Sequence, residues 1–256
     1  MTQQIEDDIV AEAWRLAEAA QAEGVAVRAM GGVAVKMHAS SSLPVSLVRR
    51  YRDIDLVSGR KAGRETARLL TGLGYTANER FNAMQGSSRL VFYDLEHGRQ
   101  VDVFVGEFRM CHAIPVAERL DVDPHTIPLA ELLLTKLQIV QLNEKDLLDI
   151  WAIVLEHEIT ANDDDAINSD RIAELLAADW GLWRTSRQSV EHARRAVSSS
   201  ALQAADQALI DERLEQLWER VEAEPKGLRW RGRAKVGDRS QWYEEPEEIA
   251  HGTLET

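Results

Sequence analysis

At 256 residues the chain has length for one large domain or two small ones, each with a proper core. Hydrophobic residues make up 45% and charged residues 29%, a balance that excludes collagenous, mucin-like and intrinsically disordered classes. The 43 acidic and 30 basic side chains give a formal charge of −13, which on average repels a nucleic-acid backbone. Cys111 is the one cysteine, so no internal disulfide forms, and no apolar run approaches the roughly 20 residues of a bilayer span. The opening Met1-Thr2-Gln3-Gln4-Ile5-Glu6-Asp7-Asp8 is acidic and lacks the basic flank and apolar stretch of a secretory signal. A cytoplasmic protein without membrane contact is expected.

The charge is segregated along the chain. Residues 49–64 hold six basic residues against Asp53 and Asp55, and residues 226–239 hold six against Asp238. Residues 156–179 hold eight acidic residues against Arg171.

In chain order, Ile5 to Ala22 places Ile9, Ala13, Leu16 and Ala20 at helical spacing and stops at Gly24. Val25 to Met30 reads as a buried strand that runs into Gly31-Gly32, with a helix from Val33 to His38. Ser40 to Pro44 is loop, Tyr51 to Val57 is a second strand, and Arg60 to Leu73 is a helix closed by Gly72 and Gly74. Leu90–Asp94 and Val101–Val105 form a hairpin around Glu96-His97-Gly98-Arg99. After Pro128 the period changes to 3.6, predicting helices over 129–142, 144–157, 170–179, 182–197 and 202–221. Asn143 is placed to cap the second of these. The last 30 residues, with Pro225, Pro246, Gly227, Gly232 and Gly237, read as an irregular tail.

Side chains two apart on a strand share a face, so Asp53 and Asp55 point together while Ile54 packs inward. Asp102, among Val101, Val103 and Val105, points opposite its apolar face, and a neighbouring strand would bring it beside the pair. Three carboxylates repel unless a cation neutralises them, and magnesium takes one or two carboxylates with water and substrate phosphates. Read alone, Asp-x-Asp is more often a pair of solvated acids. Gly31-Gly32, between strand and helix, would let the backbone approach a phosphate, or would simply turn the chain.

In combination, Val27-Arg28-Ala29-Met30-Gly31-Gly32, then Asp53-Ile54-Asp55, then Asp102 on a later strand resembles the polymerase-β-like nucleotidyltransferase superfamily. Thr135-Lys136-Leu137 and Lys145-Asp146-Leu147-Leu148-Asp149 look like the later motifs of AbiEii-type nucleotidyltransferases, toxins of abortive-infection systems. The resemblance covers residues 25–155. It implies an α+β fold: a mixed sheet flanked by helices in a catalytic domain over 1–126, a helical domain over 127–224, and the tail over 225–256. It also implies Asp53, Asp55 and Asp102 as ligands of two magnesium ions. Gly31, Gly32, Arg52, Lys136, Lys145 and Asp149 would bind the nucleoside triphosphate, with Asp53, Asp55, Asp102 and Lys136 as the catalytic set and Asp102 the candidate base. The implied acceptor is RNA, such as the 3′ end of a tRNA, with the basic segments 49–64 and 226–239 supplying phosphate contacts, and an antitoxin protein is an implied partner.

Two departures are visible. Twenty residues separate Gly32 from Asp53, a longer interval than the superfamily's compact spacing, and Arg50-Tyr51-Arg52 replaces an Arg-small-Lys lead-in. Both bear on the acceptor. The acidic stretch 156–179, folded against the site, would instead attract a small polycation, as in aminoglycoside nucleotidyltransferases; a catalytically silent nucleotide- or partner-binding module that keeps the fold is the third reading.

Each helical residue has a plainer alternative. Lys136 could snorkel from its apolar helix, Lys145 and Asp149 could form an i,i+4 surface pair of about 0.3–0.5 kcal/mol, and Asp146 could serve a helix N-terminus. His157, in Glu156-His157-Glu158, has no second histidine at helical spacing. Cys111-His112 reads as a core pair, no Gly-x-Ser-x-Gly or Walker loop occurs, and Trp230, among Arg229, Arg231 and Arg233, packs or stacks on a base.

Overall fold

The structure is a computed structural model and describes residues 5–245. It is an α+β fold with a five-stranded mixed sheet. Helix α1 (Ile9–Ala22) is capped by Asp8. Strand β1 (Val27–Met30) runs directly into α2 (Gly31–His38), two residues earlier than the glycine pair suggested. Next come β2 (Asp53–Ser58), α3 (Gly63–Gly72), β3 (Thr76–Ala77), α4 (Glu79–Gln85), β4 (Arg89–Asp94) and β5 (Arg99–Val105). The sheet order is β1-β2-β5-β4-β3, with β2 and β5 parallel and the other pairs antiparallel.

That order puts β2 and β5, the two strands with aspartates, side by side at the centre. Their inward residues, Ile54, Leu56, Val101 and Val103, are completely buried, which fixes the register because a one-residue slip would exchange the faces. Two short ladders follow, β6 (Phe108–Arg109) with β7 (Ala113–Ile114) and β8 (Ile159–Thr160) with β9 (Ile167–Asn168).

Helix α5 (Leu129–Leu137) is buried on all sides except at Lys136, as expected of a helix that is apolar all round. Its Glu131 is completely buried and lies between Arg119 at 3.1 Å and Arg171 at 2.9 Å. The helix ends five residues before the expected Leu142. Gln138 caps its end and accepts a hydrogen bond from the backbone N–H of His112, and Ile139-Val140 are β-branched residues that fit a helix less well.

Helix α6 (Glu144–Glu156) begins with a reciprocal capping box. Asn143 accepts from the N–H groups of Lys145 and Asp146, and Asp146 accepts from the N–H of Asn143. Then come α7 (Ser169–Ala178), α8 (Trp180–Val197) and α9 (Ala204–Ala223).

The expected irregular tail is corrected in part. Residues 228–236 form α10 (Leu228–Val236), with Gly227 as its N-cap and Gly237, at φ +58°, as its C-cap. Of the three glycines read as breakers, Gly227 and Gly237 are the helix's two ends and Gly232 lies within it. Trp230 does not present its ring for stacking on a base. Its indole donates to the Leu176 carbonyl and its ring lies 5.1 Å from that of Trp183. Residues 1–4 and the part of the tail from 246 onward, with Pro246, lie outside the described residues. No helix among the described residues is long and apolar enough to cross a membrane.

Because the capping box holds the N-terminus of α6, Asn143→Ala should cost about 1 kcal/mol and lower Tm by roughly 2–4 °C. Thermal unfolding followed by circular dichroism checks this; an unchanged Tm would mean the cap contributes nothing.

Candidate active site

Register builds the site. Met30 of β1 pairs with Asp55 of β2, Asp55 with Asp102 of β5, and Asp53 with Gln100. The three aspartates therefore share one face, and with Gly31 they line a cleft of about 610 Å³. Lys136 and Thr135 reach the same cleft from α5. Residues distant in sequence, from Gly31 to Lys136, thus line one cleft.

The glycine pair is required by close approach. Gly31 has φ +68°, and a Cβ there would overlap the carboxylate of Asp55. A Cβ on Gly32 would overlap the guanidinium of Arg49. The turn therefore seats one anion and one cation directly on the backbone.

Among the residues of the cleft, Asp55 carries the strongest electrostatic signal. Burial, then the neighbouring Asp102, with Asp53 adding, push its carboxyl up to about 7, although Lys136 and Arg89 oppose the shift. No hydrogen bond or ion pair to this carboxylate is found among the described residues. A divalent cation would relieve that repulsion, so the Asp53-Asp55 pair fits magnesium, which needs only one or two carboxylates from the protein.

Asp102 is held differently. Its Oδ1 accepts from Arg89 at 2.7 and 3.0 Å, and its Oδ2 accepts from Gln100 at 2.7 Å. The three carboxylates do not converge on a single point: among the described residues, the set of three whose ligand atoms lie within 4.8 Å of one another is His38, His157 and Asp165. To act as a ligand, Asp102 would have to exchange Arg89 for the ion.

Lys136 and Asp149 meet at 2.8 Å, and Arg49 binds the same carboxylate bidentately at 2.7 Å through both nitrogens. Burial alone would raise Asp149, but the hydrogen bonds from Arg49 and the charge of Lys136 hold it below the usual carboxylate range. The buried Asp149 is thus a hub for two cations, and the i,i+4 surface pair with Lys145, the plainer alternative, is not found among the described residues. Lys145 is exposed and does not line the cleft. Arg52, just before β2, is also exposed and lines a neighbouring groove with Tyr93 and Asp94, which Asp53 and Gln100 also reach, but it does not line the cleft. Asp146 serves both as the capping residue of α6 and as part of the cleft wall.

The sequence reading missed Arg49, Arg89 and Gln100. Arg89 lies two residues from Val91, the β-partner of Asp102, so only strand register could have revealed it. Also unforeseen are Glu107, Glu244 and Glu245, which line the cleft against Arg109. Neither the acidic stretch 156–179 nor the basic stretch 226–239 reaches it.

No protein-family model matches the chain, and no curated protein matches it in sequence.

A carboxyl raised by folding binds more protons in the native than in the unfolded state. Its contribution to stability is therefore complete below the ordinary value of 3.8 and is lost as pH rises through about 7. Asp55→Asn should stabilise the metal-free protein, with Tm rising by roughly 2–4 °C at pH 8 and by less at pH 5. Thermal unfolding in a chelator at both pH values tests this; an equal change at both would contradict the assignment.

Proposed function

We propose that the chain is a metal-dependent nucleotidyltransferase of the polymerase-β-like type, transferring a nucleoside monophosphate from a nucleoside triphosphate to an acceptor hydroxyl and releasing pyrophosphate. The observation that carries the reading is the convergence of Asp53, Asp55 and Asp102 with Gly31 on one cleft. In the transfer, the acceptor oxygen bonds to the α-phosphorus, the bond from that phosphorus to the β-phosphate bridge breaks, and the acceptor proton passes to a base.

Asp53 and Asp55 would hold the magnesium, with Asp102 entering as a further ligand if Arg89 withdraws. When bound, the ion neutralises triphosphate charge and lowers the pKa of the acceptor hydroxyl. Gly31, on the cleft wall at the start of α2, would present its backbone N–H to phosphate, while Gly32 lies buried beneath Arg49 and outside the cleft. Lys136 would leave Asp149 for the departing pyrophosphate, while Arg49 keeps Asp149 neutralised. Asp102 is the candidate base, positioned by Gln100. Phe81, on the cleft wall, offers an apolar face for a base or sugar.

A second reading of the acceptor rests on the wall itself. Besides the three aspartates, Asp146, Glu107, Glu244 and Glu245 face the cleft, against Arg89, Arg109 and Lys136. Arg109 already pairs with Glu107 at 2.9 Å and Glu244 at 2.8 Å. An acidic wall attracts a small cationic acceptor and repels RNA phosphates, and the basic stretch 226–239 that would hold RNA lies elsewhere. RNA remains the acceptor that the family resemblance implies.

Incubation with α-labelled nucleotides, magnesium, and either total RNA or small polyamines and aminoglycosides should label one acceptor class. Pyrophosphate release should fall by roughly 100-fold or more in Asp53→Asn and Asp55→Asn, a loss typical of removing transition-state charge stabilisation. Release at the wild-type rate in either variant would overturn the proposal.

A further inference from the structure

His157, unmatched by any histidine in its own helix, finds one across the fold. His38 closes α2 and His157 caps the C-terminus of α6. Asp165 sits between β8 and β9 at φ +51°, a left-handed conformation uncommon outside glycine. One ligand atom of each lies within 4.8 Å of those of the other two. The two imidazole rings stand perpendicular, 5.5 Å apart.

The hydrogen bonds assign both tautomers. The Thr126 hydroxyl donates to the Ile127 carbonyl at 3.0 Å, so at 2.7 Å it accepts from Nε2 of His38, leaving Nδ1 with its lone pair. Nδ1 of His157 lies 3.2 Å from the Asp165 carbonyl oxygen and 3.4 Å from its Oδ1. The carbonyl can only accept, so the lone pair of His157 is on Nε2, and Asp165 would turn its exposed carboxylate from the Nδ1 edge to join a metal there. This Nε2 is buried without a partner among the described residues, in a side chain only 6% exposed. An imidazole whose outer N–H rests on an oxygen while its other nitrogen is bare is the arrangement found in metal-ligating histidines.

We propose that His38, His157 and Asp165 form a binding site for a divalent transition metal of the zinc class, separate from the aspartate cleft. Two imidazoles and one carboxylate suit zinc and disfavour magnesium, which prefers oxygen ligands. His38 and Asp165 line a cavity of about 220 Å³ with Asp163, room for solvent to complete the coordination. The buried Oδ1 of Asp163, without a partner among the described residues, can accept a hydrogen bond from that solvent. The site's role is a clamp. It joins α2, whose first residue presses on Asp55, to α6, which carries Asp149, beside a second tie in which Ser40 N–H donates to Glu156 at 2.7 Å. The proposal does not depend on the nucleotidyltransferase reading.

The full chain, stripped with a chelator and incubated with Zn²⁺ or Co²⁺, tests it. The expected result is one ion retained per chain by elemental analysis after gel filtration, visible cobalt bands of low coordination number, and a Tm raised by zinc but not by magnesium. Asp165→Asn, at an exposed position, should weaken retention roughly tenfold or more, and His38→Gln should abolish it, with circular dichroism unchanged. Asp55→Asn should retain the ion, which separates this site from the aspartate cleft. No retained ion in the wild type, or undiminished retention in both His38→Gln and Asp165→Asn, would overturn the proposal.

Discussion

Like charge gathered on the central strands of one sheet is the constraint to which the rest of the site answers. Asp55 and Asp102 are directly paired across β2 and β5, with Asp53 one pleat away. Buried beside like charge, such an arrangement is unfavourable, and burial with the neighbouring Asp102 pushes the Asp55 carboxyl up to about 7. The hydrophobic strand faces hold the arrangement in place: Ile54, Leu56, Val101 and Val103 cannot leave the core without turning every aspartate around.

The surrounding cations are distributed so that the charge is only partly compensated. Arg89 and Gln100 take Asp102, while Arg49 and Lys136 take Asp149. Asp55 has Gly31 pressed against it instead of a donor side chain. The cleft therefore keeps an acidic centre within reach of Lys136, whose side chain ties α5 to Asp149 of α6. A bare charge of this kind lowers stability, and its retention at the best-defined register of the sheet argues for a ligand rather than for a structural role.

Much of this was legible in the sequence, for identifiable reasons. Alternation along 53–57 and 101–105 gave both strands and the shared face of their aspartates, and the glycine pair marked a turn that the structure places on Asp55. Asn143 was legible as a cap because its side chain acts within its own turn. What escaped depends on contacts distant in sequence. Arg49 reaches Asp149, Arg89 reaches Asp102 through antiparallel pairing, and His38 meets His157, none of which any local spacing records. Local signals also misled. Gly227 and Gly237 read as breakers although they delimit α10, apolar residues beyond Leu137 read as a longer α5, and α4 was missed because its seven residues bury no side chain. The plainer alternative for Lys145 and Asp149, a surface pair, is displaced for a related reason: Lys136 and a bidentate Arg49 hold Asp149 while Lys145 is exposed.

The central claim is that Asp55 holds uncompensated charge awaiting a cation. A carboxyl-carbon NMR titration of the protein, with and without magnesium, tests it most directly. The account predicts an Asp55 midpoint near 7 without the ion and a marked fall when magnesium is added. A midpoint at the ordinary 3.8, indifferent to magnesium, would contradict it.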